Sequence, residues 1–407
     1  VTETGPITSP NPVSALAGVR VIDAATLAAG PLAGTYLAEL GAEVIKLEQP
    51  GEGDPLRNWG SQRNGTGLMW KSVARNKLTA TINLRVPEGQ DLLRRLASVA
   101  DVLILNARPS TLARWGLDYP RLAEANPGLV VLHVTGFGAG GPASDKPGFG
   151  TLGEAMSGFA HTTGERDGPP TLPQFMLADG VASLSGTYAV LAALYHRDCH
   201  GGTGQLIDLS LVEPLARLLE QSILTFDQLG TIDARTGNKW PITVPRNTYQ
   251  TNDGDWIALS GSTPSLALRV YRAIGRPELA DDPAYADPQQ RLQHADEIDD
   301  LVAAWVAERS LDDAMAEFDA WGVAAAPVYD APKLLADPHL TARGTYVSLP
   351  DDDLERMTVQ GPVPRLSATP ARVDHLGRAL GADNAYVYDL IGLDETDLLD
   401  LRNKGVI

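Results

Sequence analysis

Gly18-Val-Arg-Val-Ile-Asp23, Thr26-Leu-Ala-Ala-Gly30, Pro31 to Leu40 and Glu43-Val-Ile-Lys-Leu47 follow one another as strand, turn, helix and strand. Pro31 suits the first turn of a helix, where a missing N–H costs least. The same alternation continues outward. Leu78-Thr-Ala-Thr-Ile-Asn-Leu84 reads as a strand, Pro87 to Ala100 as a helix, and Asp101-Val-Leu-Ile-Leu105 and Leu129-Val-Val-Leu-His-Val134 as further strands. Strands alternating with helices predict an α/β fold with a Rossmann-like, doubly wound parallel sheet. Ligands of such sheets bind beyond the carboxyl ends of the strands. The residues at those ends are Thr26 to Gly30, Gln49, Arg85, Asn106-Ala-Arg108 and Thr135-Gly-Phe-Gly138.

The chemistry of the chain is bounded by what it carries. Leu27-Ala-Ala-Gly-Pro31 lacks the G-x-G-x-x-G spacing of a dinucleotide fingerprint, and the sequence has neither a Walker loop nor a G-x-S-x-G elbow. Seven histidines show no metal-ligand spacing, so no metal is expected. The net charge of −18 argues against nucleic acid or an anionic membrane as partner. Residues 1–150 carry 14 Lys and Arg against 13 Asp and Glu, whereas the remainder carries 19 against 38, so an anionic ligand belongs with the first third. Arg57, Arg75, Lys77, Arg85, Arg108 and Arg114 are the cations available there for phosphates. A single cysteine, Cys199, excludes an internal disulfide framework, no apolar run reaches the length of a membrane span, and the polar first thirteen residues lack signal-peptide character. A cytoplasmic protein is expected.

Gly136 to Gly150 reads as one long glycine-rich loop, and loops of that length are usually functional. Beyond it, Pro173-Gln-Phe-Met-Leu-Ala-Asp179 leads into an apolar helix to Arg197. Leu184, Tyr188, Leu191 and Tyr195 recur at helical spacing and predict a buried face. Asp179 has two readings: a helix N-cap, or a reactive carboxylate approached across Gly180, Ser183 and Gly186. Gln205-Leu-Ile-Asp-Leu209 follows as a strand, and Glu213 to Gly230 as a second long helix. The expected domains are a disordered tail over 1–13, a large domain over 14–230 and 325–407, and a smaller α+β domain over 231–324. The smaller domain should hold a hairpin at Tyr249-Gln-Thr-Asn-Asp-Gly-Asp-Trp-Ile-Ala-Leu259, then helices near Pro264–Ile274, His294–Glu308 and Leu311–Trp321.

Leu16-Ala-Gly-Val-Arg-Val-Ile-Asp23, Ala29-Gly-Pro31, Leu40-Gly-Ala-Glu-Val-Ile-Lys-Leu-Glu48, Gly51-Glu-Gly-Asp54, Asn106 with Arg114-Trp-Gly116, Gly164-Glu-Arg-Asp-Gly-Pro-Pro170, Leu177-Ala-Asp179 and Gly202-Thr-Gly-Gln-Leu-Ile-Asp208 stand in an order and spacing that resemble the family III CoA-transferases. That group includes formyl-CoA transferase and the carnitine CoA-transferases. The resemblance runs nearly end to end. It implies an interlocked homodimer, no permanently bound cofactor, and acyl-CoA and a carboxylic acid as substrates. It further implies that Asp179 is the nucleophile, passing through a mixed anhydride and an aspartyl-CoA thioester. CoA contacts are implied at Ala28, Ala29, Gln49, Ile82, Asn83, Leu84, Arg85, Asn106, Ala107, Arg108, Arg114, Thr135, Gly136, Phe137 and Gly138.

The chain departs from that pattern in several places. Gly237 to Arg246 lacks the glycine run that closes over the intermediates in formyl-CoA transferase, and Phe137 replaces a tyrosine. Gln49 and Ala107 replace a family Arg and Phe. An acyl-CoA α-epimerase (racemase) on the same fold is one alternative, but Phe149 occupies the place of its second base, which leaves His161 as the nearest substitute. A non-catalytic CoA-binding subunit is the other.

Overall fold

The computed structural model describes residues 14–407, so the tail expected over 1–13 lies outside the described residues. The chain divides into two compact units: residues 14–159, Leu172–Gln228 and Ala342–Ile407 make one, Ala160–Thr171 and Leu229–Thr341 the other.

The first unit is built on six strands, β1 (Arg20–Asp23), β2 (Glu43–Glu48), β3 (Lys77–Thr81), β4 (Val102–Leu105), β5 (Val130–Thr135) and β6 (Leu206–Ser210). Their order is β3-β2-β1-β4-β5-β6, and every pairing is parallel. Alternate residues feed two cores. Val21, Val44, Val102, Ile104, Val130 and Leu132 face one side, and Ile22, Ile45, Leu103, Leu105 and Val131 the other. Both faces are therefore buried, which is why these strands read as nearly unbroken apolar runs. The order reverses between β1 and β4, and that reversal places the ligand crevice at their carboxyl ends.

One face carries α1 (Ala29–Glu39) and α5 (Leu177–His196), and the other α2 (Pro87–Ser98). Two short helices, α3 (Pro109–Trp115) and α4 (Gly150–Met156), follow β4 and the glycine loop. Pro31 falls in the first turn of α1, among N–H groups that a helix leaves unpaired anyway.

The face of α5 that packs is not the one its large residues predict. Ala178, Ala182, Ser183, Gly186, Thr187, Val190, Ala193 and Leu194 are buried, whereas Leu184, Tyr188 and Tyr195 are 58%, 63% and 64% exposed. Of the expected stripe only Leu191 packs against the core. A Cβ on Gly186 would sit 3.0 Å from Leu132 and 3.1 Å from Leu209, so small residues are what let the helix lie on β5 and β6. With the π-turn Arg197–Gly201 that prolongs it, α5 is long and apolar enough to cross a membrane by length and composition. Counting uninterrupted apolar runs misses that, because Asp179, Ser183 and Thr187 break the run. Packing of its small-residue face marks it as a core helix instead.

The helix expected over Glu213 to Gly230 is two, α6 (Glu213–Leu218) and α7 (Glu220–Leu229), and α7 buries none of its residues within this chain. The C-terminal segment closes the edge of β3. Asp383 accepts from Thr79 N–H, Asn384 from Thr81 N–H, and Tyr388 donates to Thr81 O. An exposed strand edge is thereby covered.

In the second unit β7 (Arg246–Gln250), β8 (Trp256–Ser260) and β9 (Ala325–Pro327) form an antiparallel sheet in the order β9-β8-β7. It packs with α8 (Pro264–Ala273), α9 (Ala295–Ala307) and α10 (Leu311–Trp321) around Tyr249, Ile257, Val302 and Phe318. Here the expected boundaries need correction. Ala325–Pro327 pairs with β8, and this unit continues to Thr341, so the chain returns to the first unit at Ala342 and not at 325. It also takes in Ala160–Thr171, inside the segment read as large domain. A hairpin of β10 (Tyr346–Asp351) and β11 (Glu355–Gln360) escaped the sequence reading, since Pro350 and three consecutive aspartates obscure its alternation.

Candidate active site

The loops after β1 and β4 are clipped together across the reversal point. Asn106 accepts Thr26 N–H at 3.1 Å and donates to Thr26 O at 2.9 Å. The next residue, Leu27, takes a left-handed conformation at φ 65°, which costs a residue with a Cβ. What holds it there is Asp54, whose two carboxylate oxygens accept Leu27 N–H at 3.2 and 3.3 Å. Asp54 is itself fixed by an ion pair to Lys46 at 3.0 Å, both side chains 1% exposed, and Lys46 also donates to Ala25 O. The loop is thus pinned from below by buried charge, and it delivers Ala28 and Ala29 to the start of α1.

Three hollows meet at this loop. A groove of about 450 Å³ is lined by Gln49, Ile82, Leu84, Arg85, Asn106, Ala107 and Trp115. A cavity of about 780 Å³ lies among Leu27, Pro55, Trp59, Met69, Phe149, Glu154, Phe175, Met176 and Asp179. A small recess of about 90 Å³ joins Ala28, Ala29, Asn106, Thr135 and Gly136 to Asp179. Leu27 and Phe149 line all three.

Most of the CoA contacts that the resemblance implies therefore come together, but five do not line these hollows. Asn83 is turned to the C-terminal segment, donating to Gly405 O at 3.1 Å. Arg108 and Arg114 are exposed on and beside α3. Phe137 and Gly138 belong to a turn tied back by Thr135 Oγ1, which accepts Gly138 N–H at 2.9 Å, and by Asp208, which accepts Ala139 N–H at 2.8 Å. Among the six candidate cations, three are committed internally. Arg57 makes a two-pronged pair with Glu48 and lies 3.7 Å over the Trp70 ring, Arg75 pairs with Glu39, and Lys77 is buried against Asp23 at 2.9 Å. Arg85 lines the groove and meets Glu52 only at 3.6 Å on the surface.

Asp179 is not the N-cap. Met176 holds that position, which places Asp179 in the third residue of the first turn. Its carboxyl lies above the ordinary carboxylate range, first because burial disfavours the charge and then because Glu154 is negative nearby. Backbone N–H groups of Asp179 itself and of Ala29 act in the opposite direction. Ser183 Oγ bonds both Ala29 O at 2.8 Å and Asp179 O at 2.6 Å, joining the starts of α1 and α5. Gly150 opens α4 so close to the carboxylate that a Cβ there would lie 2.2 Å from Asp179 Oδ2. The result is a basic, partly desolvated carboxylate among helix N-termini, in an apolar cavity close to a groove that Arg85 lines.

The sequence reading missed Glu154, Gly150 and Asp54 as site residues. Glu154 follows Gly150 at one helical turn, a spacing concealed by reading this stretch as the end of a loop. His161 lies in the second unit with a ring nitrogen 3.1 Å from Asp233 O. Phe149, with no proton to exchange, occupies the cavity wall.

The chain is similar to known proteins along nearly its whole length. Residues 16–384 match the model of CoA-transferase family III. The chain is 43% identical to succinyl-CoA–D-citramalate CoA-transferase of Chloroflexus aurantiacus, over 98% of this chain and 100% of that protein. It is 33% identical to succinate–glutarate CoA-transferase of Agrobacterium fabrum, over 93% and 96%. A crystal structure of a CaiB/BaiF family protein from Brucella suis superposes with a TM-score of 0.82 at 30% identity, covering 93% of this chain and 99% of that one. The chain belongs to CoA-transferase family III, and the enzyme is a CoA-transferase.

Proposed function

We propose that the enzyme moves CoA from an acyl-CoA to a free carboxylic acid by covalent catalysis on Asp179. The observation that carries this reading is the position of Asp179 where the large apolar cavity meets the small recess that borders the groove at Asn106, with the Ala29 N–H directed at its carboxylate. Asp179 attacks the thioester carbonyl, a C–O bond forms, the C–S bond breaks, and CoA leaves as the thiolate. In this reading the first-turn N–H groups of α1 stabilise the oxyanion that develops. The thiolate then attacks the Asp179 carbonyl of the mixed anhydride, giving an aspartyl-CoA thioester and releasing the first acid. The acceptor carboxylate repeats both steps in reverse. No proton is gained or lost overall. Hydroxylamine added during turnover is expected to convert Asp179 to its hydroxamate, read by mass spectrometry on the peptide holding Phe175 to Tyr188. A trapped adduct on Cys199, and none on Asp179, would sink the reading. Succinyl-CoA with citramalate or glutarate, the substrates named for the relatives, are the first pairs to assay.

CoA in this reading lies along the groove, its phosphates toward Arg85, with Gln49, Ile82, Leu84, Asn106 and Ala107 beside it. Arg85→Ala is expected to weaken CoA binding by about tenfold or more, the worth of a charge-assisted bond of roughly 1.5–3 kcal/mol. Calorimetry giving an unchanged Kd would remove Arg85 from the site.

The working unit is proposed to be a homodimer with interlocked subunits. Its support is the apolar surface left open by one chain: Leu184, Tyr188 and Tyr195 on α5, and Ile223, Leu224, Phe226 and Leu229 on α7. So large a set of exposed apolar side chains marks an interface. Sedimentation is expected to give a dimer at sub-micromolar concentration, and a stable folded monomer there would rule the architecture out.

A further inference from the structure

The Asp179 cavity holds a second carboxylate that the transfer chemistry leaves without a task. Glu154 is 4% exposed on α4, and its Oε1 accepts the N–H of Ala178, from the first turn of α5, at 3.4 Å. A buried carboxylate is costly, and one long hydrogen bond is small compensation. Its place against the helix that bears the nucleophile gives the cost a use. We propose that Glu154 is a positioning residue that acts through Asp179, its charge destabilising the free carboxylate relative to the acylated forms and so favouring attack on the CoA ester. The inference rests on the reading of Asp179 as nucleophile.

The charges decide the argument. To attack, Asp179 must carry its charge as a carboxylate, and it does so beside Glu154 in the same cavity. As the C–O bond forms and the C–S bond breaks, the negative charge leaves Asp179 with the CoA thiolate. After the thiolate has closed the aspartyl thioester, the charge departs on the released acid, and Asp179 is neutral while Glu154 is unchanged. The repulsion exists in the ground state and is relieved in the intermediates, which is the kind of interaction that accelerates a step.

Protonation of Asp179 relieves the same repulsion, so one quantity governs both processes. Its carboxyl is raised by burial and then by Glu154, against the Asp179 and Ala29 N–H groups. The other titratable groups on elements packed against α5 are directed elsewhere. Glu39 pairs with Arg75, with Tyr36 beside that pair, His133 bonds Ala107 O, Asp208 accepts from Ala139 and Glu213 from Ser210. Arg217 is exposed, and Arg197 pairs with Asp101 and Asp198 beyond the far end of the helix, near His200.

The test compares the whole enzyme with Glu154→Gln, whose amide oxygen still accepts from Ala178, and with Glu154→Asp, which keeps the charge. Two readouts are taken. The pH dependence of Asp179 esterification by a diazo reagent, followed by mass spectrometry, gives the midpoint of its titration. The fraction of Asp179 held as CoA thioester at a fixed ratio of succinyl-CoA to succinate gives the equilibrium of acylation. Glu154→Gln is expected to lower the midpoint by about one pH unit and the acylation equilibrium by the matching factor of about ten. Glu154→Asp should restore both in large part. A Glu154→Gln enzyme with lower activity but an unmoved midpoint and an unmoved thioester fraction would overturn the proposal, leaving Glu154 a structural residue. A wild type that forms no thioester with any acyl-CoA that it turns over would overturn the nucleophile reading itself, and the inference with it.

Discussion

Asp179→Asn is expected to leave the enzyme folded and somewhat more heat-stable while transfer falls by roughly a thousandfold or more, about 4 kcal/mol of barrier. The loss follows from removing the nucleophile. The gain follows from the environment of the carboxylate. Its folded-state pKa is raised by burial and Glu154, so the stability that it contributes is fully present below the unfolded value of about 3.9 and is lost as pH rises through the folded value. At neutral pH the charged side chain is therefore a net liability. Asparagine has the same shape, can still accept from Ala29 N–H, and carries no charge for Glu154 to repel. No cap is lost, because Met176 is the N-cap. Calorimetry should show a higher Tm for the variant at pH 7, on the order of 1–3 °C, and the difference should close as pH falls toward 4. A folded Asp179→Asn enzyme with near-normal transfer would exclude covalent catalysis at this residue. A variant less stable at pH 7 than the wild type would mean that Asp179 supports the fold more than it strains it.

The succession of strands and helices along the chain, and the strand ends at which a ligand crevice is expected, were legible because they depend on local pattern: short apolar runs, Pro at helix starts, and turns between them. Asn106, Gln49 and Arg85 could be picked for the same reason, since each simply follows a strand. Burial was less legible. Leu184, Tyr188 and Tyr195 look like a core face, yet the sheet takes the opposite face of α5, where Gly186 and its small neighbours allow close approach. Periodicity shows that a helix has an apolar face but not what covers it. Pairing over long sequence separation was not legible at all. Nothing local tells that Arg57 is claimed by Glu48, Arg75 by Glu39 or Lys77 by Asp23, and all three resemble free cations until the chain is folded. Leu27 is the sharpest case, because its strained backbone is held by Asp54, and only the fold brings the two together. The domain boundary failed similarly, for Ala325–Pro327 is an apolar strand in either unit until its partner is known.

Gly150→Ala should cost about a hundredfold in kcat with little change in stability or CoA affinity. The backbone at Gly150 does not need a glycine: it is the first residue of α4 and is not among the residues with positive φ. Alanine is in fact the better helix residue, by roughly 0.5–1 kcal/mol. The obstacle is the added methyl group, 2.2 Å from Asp179 Oδ2 and 3.2 Å from its Cγ. Contact at that distance is impossible, and the short aspartate side chain must turn aside by more than an ångström. Doing so breaks its alignment with Ala29 N–H and with a thioester carbonyl presented from the groove. A displacement of about 1 Å at a reacting atom is worth on the order of a hundredfold in rate. The groove around Gln49, Arg85 and Asn106 is untouched, so the effect should fall on kcat and spare the Kd for CoA. Gly180→Ala is the matched control, one residue beyond Asp179 on α5, where a Cβ meets nothing within 4 Å. It is expected to keep activity within a fewfold of the wild type and to gain a little stability. If Gly150→Ala were as active as Gly180→Ala, the Asp179 carboxylate would not be working from the place where the structure puts it.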